Sequence, residues 1–349
     1  MFTGIRNYLR RRKLLRRDAE FTRQIHKYRR EVLGPLGLDD PNWQLRTHKK
    51  NRRVYLSAKH AWKIYHSSQA KFGENYIEAD EVLRGEDIAA PKLVHTDVSP
   101  PTVLKYQFGS LLMEKVEGRP LTLDMNDKEL QCFAKFLVRL HSISSLGWEK
   151  QRELKPNRFF ESYFESDAER ELAEIDEWLD RRKQASLPDY TSLLDSLLAK
   201  QTLPRKLCFT SCDTQPSNFF LRPNGSICMI DLDLCRFADF PLDLVYYLLL
   251  AHGNSLSDGA IDAVQAIEQI ENAAGVFLKA YFEAAPSESH FYWEKMKHPY
   301  FLRGAIRNLW NRTKQMRPEY NEFLQRDLDD ELKKAETDLK IVKILGGQA

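Results

Sequence analysis

The sequence predicts an α+β fold in two lobes, with a small antiparallel sheet in the N-terminal lobe and a large, mostly helical C-terminal lobe. Three observations predict it. Short apolar or alternating runs bounded by turn residues lie before residue 117 and again between Leu207 and Asp231. Apolar residues recur at helical spacing over most of the chain beyond residue 150. A length of 349 residues exceeds what one compact core usually organises. The divisions this suggests are a basic helical arm over 1–35, a small lobe over 36–117 and a large lobe over 118–349 with a helical insert at 151–200.

Taken in chain order, the arm comes first. Residues 1–35 carry eleven Lys or Arg against three acids, net +8 in a chain totalling +3, so the remainder carries −5 and the excess base is an appendage. Phe2, Ile5, Leu9, Leu14, Leu15, Phe21, Ile25 and Tyr28 predict an amphipathic helix, either packed on the small lobe or lying through residues 1–30 on an anionic membrane surface. Arg52–Leu56 and Ala61–Tyr65 flank the turn Ser57-Ala58-Lys59-His60 and predict a hairpin. A helix is expected over Asn75–Arg84, then an apolar strand at Leu111-Leu112-Met113 entering a turn, then an amphipathic helix ending at Leu140-His141. In the insert, Phe159, Phe160, Tyr163 and Phe164, then Leu172, Ile175, Trp178 and Leu179, predict two further amphipathic helices. Leu207–Thr210 reads as a strand, followed by a polar loop, a hairpin turn at Asn224-Gly225 and a second strand ending at Asp231. Beyond Asp243 the spacing of Val264, Ile267, Ile270, Ala274, Phe277, Tyr281, Phe301, Ile306 and Trp310 is helical, and a charged helix closes the chain over Asn321–Ile344.

Composition excludes several classes. With 42% hydrophobic and 30% charged residues this is an ordinary globular chain. Its longest apolar run, Leu244–Ala251, is too short to span a bilayer, and the basic arm lacks the apolar core of a signal peptide. Five cysteines (Cys132, Cys208, Cys212, Cys228, Cys235) with no C-x-x-C exclude a disulfide framework or zinc site and point to a reducing, cytoplasmic compartment. Base confined to an arm leaves no nucleic-acid partner expected.

The chemistry concentrates between Leu207 and Leu250, where Asp213 and Asp231 both sit at strand ends. Phosphoryl transfer needs a carboxylate to orient an attacking hydroxyl and accept its proton, and oxygen ligands for the magnesium bridging the nucleotide phosphates. Asp213 suits the first task; Asn218 and Asp231, brought back by the hairpin, suit the second, with Asp233 just beyond. The segment resembles the catalytic and metal-binding loops of the aminoglycoside phosphotransferase and choline kinase group of protein-kinase-like folds, roughly H-x-D-x-x-x-x-N, a strand, then I-D-x-[DE]. The resemblance makes Asp213 the catalytic aspartate and Asn218, Asp231 and Asp233 the Mg2+-site residues. Phe240-Pro241-Leu242-Asp243-Leu244 is similar to that group's G-D-P-x-x-D-[LI], which opens a buried helix. One position departs: Ser211 stands where the group usually has histidine.

Upstream, the resemblance implies an ATP site. Lys63 in Ala61-Trp62-Lys63-Ile64-Tyr65 is similar to V-x-K-V-Y, and Glu78, with Glu81 as fallback, is similar to the glutamate of E-A-x-x-L that holds such a lysine. Leu112-Met113-Glu114-Lys115-Val116-Glu117-Gly118 resembles the hinge, which implies that adenine bonds the Glu114 carbonyl and Val116 amide with Met113 behind it. No glycine-rich loop precedes Lys63. Asn51-Arg52-Arg53-Val54-Tyr55 is similar to the group's cover, so Asn51 and the neighbouring bases are expected over the nucleotide. The long gap between His141 and Asp213 matches small-molecule kinases of the group, whose inserted helices wall the acceptor pocket. The expectation is thus an ATP- and Mg2+-dependent phosphotransferase acting on a hydroxyl of a small polar acceptor. A kinase of a glycolipid or cell-envelope sugar, and a catalytically silent kinase-like scaffold, are the alternatives.

Overall fold

The structure, a computed structural model, describes residues 16–49, 52–144, 161–184, 186–199, 207–253, 256, 262–316 and 328–347. It divides into two compact units, one made of residues up to Asp80 with Pro91–Val116, the other of Glu81–Ala90 with Glu117 onward.

In the first unit β1 (Gln44–Lys49), β2 (Arg52–Leu56), β3 (His60–His66), β4 (Leu93–Asp97) and β5 (Phe108–Glu114) form one antiparallel sheet in the order β1-β2-β3-β5-β4. Strand alternation gives β3 two working faces. Trp62 and Ile64 join Tyr106, Phe108 and Leu112 in a core closed by Phe21, Ile25, Tyr28 and Leu33. The last four come from helical residues 16–28 (α1) and the π-helical turn Arg29–Leu33. On the other face lies α2 (Ala70–Gly85), whose Tyr76 hydroxyl donates to Met113 Sδ at 3.4 Å. This helix starts five residues earlier than its apolar pattern predicts. His66 accepts from the Ser68 amide and caps a 3-10 turn, Ser67–Gln69, that runs straight into it. A short helix, α3 (Pro100–Tyr106), completes the unit.

The described part of the arm therefore packs on the small lobe, and Phe21, Ile25 and Tyr28 are not free to face a membrane. Burial of such side chains contributes about 2 kcal/mol each. Phe2 to Leu15, and Asn51, lie outside the described residues. Arg53, expected over the nucleotide, is instead buried toward α1: it pairs with Asp18, donates to Thr22 Oγ1 at 2.9 Å and lies 4.7 Å above the Phe21 ring. Buried guanidinium needs an anion, and Asp18 supplies it.

The second unit holds α4 (Asp127–His141), α5 (Asp167–Arg181), α6 (Tyr190–Ala199), α7 (Pro241–His252), α8 (Ala263–Ala273), α9 (Gly275–Ala284), α10 (Ser287–Gln315) and α11 (Leu328–Leu345). A three-stranded piece, β6 (Arg119–Pro120), β8 (Phe219–Leu221) and β9 (Ile227–Met229), and a pair, β7 (Cys208–Thr210) with β10 (Arg236–Ala238), carry the loops of interest. Asn126 and Glu129 form a capping box that starts α4. In the insert, the π-helical turn Glu161–Ser166 runs directly into α5, so the predicted pair of helices there is one continuous segment, followed by α6. Tyr163, Phe164, Leu172, Ile175 and Leu179 are buried as their spacing requires; Phe159 and Phe160 lie outside the described residues. Glu171, fully buried, binds Arg303 at 2.7 Å and also pairs with Arg307, fastening α5 to α10. Gly304 lets α10 approach α7, since a Cβ there would lie 2.7 Å from Val245 Cγ1. Among the described residues no helix is long and apolar enough to cross a membrane.

Candidate active site

The loop between β7 and β8 is built mainly by backbone hydrogen bonds. β7 and β10 pair with Thr210 opposite Arg236, which sets Ser211 at the loop's start. The chain then turns sharply: Cys212 has φ +56°, a left-handed conformation costing a non-glycine residue about 1–2 kcal/mol. One carboxylate holds that turn. Asp243, fully buried in the first turn of α7, accepts the Ser211 amide on Oδ2 and the Cys212 amide on Oδ1, each at 2.8 Å. Thr214 Oγ1 donates to the Asp243 carbonyl at 2.7 Å. His141, at the end of α4, places Nε2 3.1 Å from Asp243 Oδ2 and Nδ1 2.8 Å from the Tyr281 hydroxyl. Nε2–H donating to the carboxylate would leave Nδ1 to accept from the phenol.

Asp213 follows this turn. Its carboxyl is pushed up to about 6, first by burial and then by the like charge of Asp231, against the lowering pull of Asn218, Tyr246 and the Gln215 amide. Oδ2 accepts from Gln215 Nε2 at 3.3 Å, while Oδ1 is buried with no hydrogen-bond donor from the protein. Asn218, in the 3-10 turn Pro216–Asn218, donates Nδ2 to the Asp213 carbonyl at 3.1 Å, and its own carbonyl accepts the Ile230 amide at 2.9 Å. That last bond sets the start of the Asp231 segment against Asn218. The hairpin between them turns at Asn224-Gly225 as the sequence suggests, with Gly225 at φ +79°. So the structure brings Asp213, Asn218 and Asp231 together, and Asp233 follows as a buried side chain. Among the described residues no three His, Cys, Asp or Glu side chains converge as a metal site. Two acids and an amide are a different set, suited to magnesium, which takes few protein oxygens and keeps much of its water. The mutual repulsion of Asp213 and Asp231 fits a cation placed beside them. Burial keeps the neighbouring Cys212 and Cys235 thiols above their usual range, so neither is a ready nucleophile.

In the small lobe Lys63 is buried, with its Nζ 5.5 Å from the Tyr65 and Tyr76 ring centroids. Glu78 and Glu81 are exposed on α2, whereas Asp80 is buried on the same helix. Met113 is buried beneath Tyr76; Glu114 is exposed and paired with Lys92 at 3.1 Å, and Val116 is half-buried at the boundary between the units. Gly118 has φ +120°, and a Cβ there would lie 2.3 Å from the Leu221 carbonyl oxygen, which explains a glycine after the hinge.

Sequence reasoning missed three contributors. His141 reads there as a packing residue, and Asp243 as a helix-opening residue, because Asp243 meets the loop amides across some thirty residues and His141 meets Asp243 across 102, contacts made only in the fold. Tyr246, whose hydroxyl neighbours Asp213, is hidden inside an apolar helix; the pair Tyr246-Tyr247 in Leu242–Leu250 was the available signal.

Residues 37–286 match the family model described as the phosphotransferase enzyme family. The chain belongs to that family. No curated protein sequence matches this phosphotransferase. Solved structures do: Plasmodium vivax ethanolamine kinase, at 15% identity and TM-score 0.57 over 92% of this chain and 88% of that one. An aminoglycoside 2′-phosphotransferase in its GDP complex is similar at 14% identity and TM-score 0.59, covering 91% and 97%. An amicoumacin kinase bound to AMP-PNP and Ca2+ is similar at 16% identity and TM-score 0.57, covering 90% and 93%. At such identities the likeness carries the fold, which is the two-lobed α+β architecture of protein-kinase-like proteins.

Proposed function

We propose that this phosphotransferase uses ATP and Mg2+ to phosphorylate a hydroxyl of a small polar molecule, with Asp213 positioning that hydroxyl. The observation that carries the reading is Asp213 itself: a carboxylate raised to about 6, with one oxygen free of protein donors, beside Asn218 and Asp231. A hydroxyl donating to Oδ1 would be oriented for attack on the γ-phosphorus. As the new O–P bond forms and the bond to the β-phosphate oxygen breaks, its proton passes to Asp213 and ADP leaves. Asn218 and Asp231, with Asp233 behind them, are the residues to hold Mg2+, which when bound would draw charge off the phosphates. Lys63 is the residue to hold the phosphates, with Glu78 or the buried Asp80 as its carboxylate, and the Glu114 carbonyl, the Val116 amide and Met113 as adenine contacts. Asn51 keeps its proposed place over the nucleotide from sequence alone.

The names of the similar proteins, an ethanolamine kinase, an aminoglycoside phosphotransferase and an amicoumacin kinase, suggest amino-alcohols and amino-sugars as the first acceptors to try. A glycolipid or envelope-sugar acceptor is favoured by one observation, the cationic outer face of α1 described below. Thermal shift with ATP and Mg2+, then ADP release against an acceptor panel, tests the reading. Asp213→Asn should lower kcat at least a hundredfold while leaving the ATP-induced shift in place. Absence of any ATP-induced shift in the wild type would favour a silent scaffold.

A further inference from the structure

Once α1 has packed on the sheet, its free face is the basic one. Phe21, Ile25 and Tyr28 point into the lobe, and the helix line opposite them carries Arg16, Ala19, Arg23, His26 and Arg30, all exposed. Arginines seven residues apart fall nearly in register because seven residues make almost two turns. Two of the arm's three carboxylates are engaged elsewhere: Asp18 pairs with the buried Arg53, and Glu31 accepts the Tyr106 hydroxyl at 2.9 Å and Lys105 at 3.2 Å. Glu20 pairs with Arg23 at 2.6 Å, an exposed pair that leaves both groups in solvent. The stripe spans about 20 Å along the helix. Upstream, outside the described residues, the sequence carries five further bases, Arg6, Arg10, Arg11, Arg12 and Lys13.

We propose that the outer face of α1 and the turn after it is a docking surface for an anionic phospholipid membrane, engaged through the Arg16–Arg23–Arg30 line rather than by insertion of the apolar side. Charge complementarity selects the partner: the arm concentrates net +8 on a chain whose remainder is −5. Because α1 and the turn after it are anchored by Arg53 and four core side chains, docking holds the small lobe at the surface. The proposal stands independently of the phosphotransferase reaction.

Sedimentation with vesicles of phosphatidylglycerol and phosphatidylcholine, against phosphatidylcholine alone, tests it on the full chain. The wild type should pellet only with the anionic vesicles at about 0.1 M salt and be released near 1 M, where the screening length falls to about 3 Å. Each surface base strengthens such binding about fivefold, so Arg16→Gln/Arg23→Gln/Arg30→Gln should weaken it about a hundredfold. The matching triple Lys variant should bind as the wild type does, with thermal midpoints of both variants unchanged. Equal pelleting with neutral vesicles, undiminished binding by the Gln variant, or displacement from vesicles by duplex DNA at equal phosphate would each overturn the proposal.

Discussion

Replacing Asp243 by asparagine isolates what positions the loop that carries Asp213. The carboxylate offers one oxygen to each of two consecutive amides, Ser211 and Cys212, both at 2.8 Å, and Oδ2 also meets His141. Asparagine has one oxygen and one NH2, so one of those amides must face another donor in a fully buried place. A buried donor left unmatched costs about 1–3 kcal/mol, and the surviving bond loses its charged acceptor, so about 3 kcal/mol of stability should go. The chain around Cys212, at φ +56°, then loses what holds it in the left-handed region and relaxes, carrying Asp213 with it. A misplacement of about 1 Å in a catalytic group costs on the order of a hundredfold in rate. Urea denaturation and steady-state kinetics with a turned-over acceptor read both effects, and the ATP-induced thermal shift should change little. An Asp243→Asn protein within twofold of wild-type kcat and with an unchanged urea midpoint would refute the reasoning.

Activity should depend on pH through Asp213, whose folded value of about 6 lies above the ordinary carboxylate range. If the ionised form accepts the hydroxyl proton as proposed, kcat/KM should climb through about pH 6 and then level. Asp231→Asn removes the like charge and should move that limb to lower pH; a limb that stays or moves up contradicts the assignment. The same shift makes the ionised loop a cost to folding: its contribution is favourable below the ordinary carboxylate value and is lost as pH rises through about 6, so Asp213→Asn should be more stable than wild type at pH 8. Gly118→Ala should destabilise by about 2–4 kcal/mol in urea titrations, because the Leu221 carbonyl and a φ of +120° leave no room for Cβ. Glu171→Gln should cost about 3–5 kcal/mol by stranding the buried Arg303, whereas a loss under 1 kcal/mol would mark that pair as dispensable.

What could be read from sequence was local. The hairpin around Ser57–His60, the Asn224-Gly225 turn and the Asp213–Asn218 spacing are set within a few residues, and each lies where its pattern puts it. What escaped was long-range. Arg53 looks like a nucleotide-covering base until Asp18 and Phe21 are seen to enclose it, an arrangement joining residues thirty-five apart. The carboxylates of α2 show the same limit. Periodicity places Glu78, Asp80 and Glu81 on one helix but does not say which is turned inward, and the exposed face proves to be that of the two glutamates.

Ser211 illustrates how a departure from a motif is weighed once the contacts are known. Histidine is expected there from the resemblance, and its absence raises the question whether the loop can be positioned at all. In the fold, the part of residue 211 that Asp243 binds is the backbone amide, which any residue but proline supplies. The serine side chain makes only a long contact, 3.4 Å, with the Asp213 amide. An imidazole does touch the same carboxylate, but it comes from His141, and Tyr281 fixes its other nitrogen. The loop geometry thus depends on Asp243, on the main chain of 211 and 212, and on a histidine seventy residues upstream. A missing side chain at 211 is therefore poor ground for expecting a silent protein, and Ser211→Ala should leave the loop in place where Asp243→Asn does not.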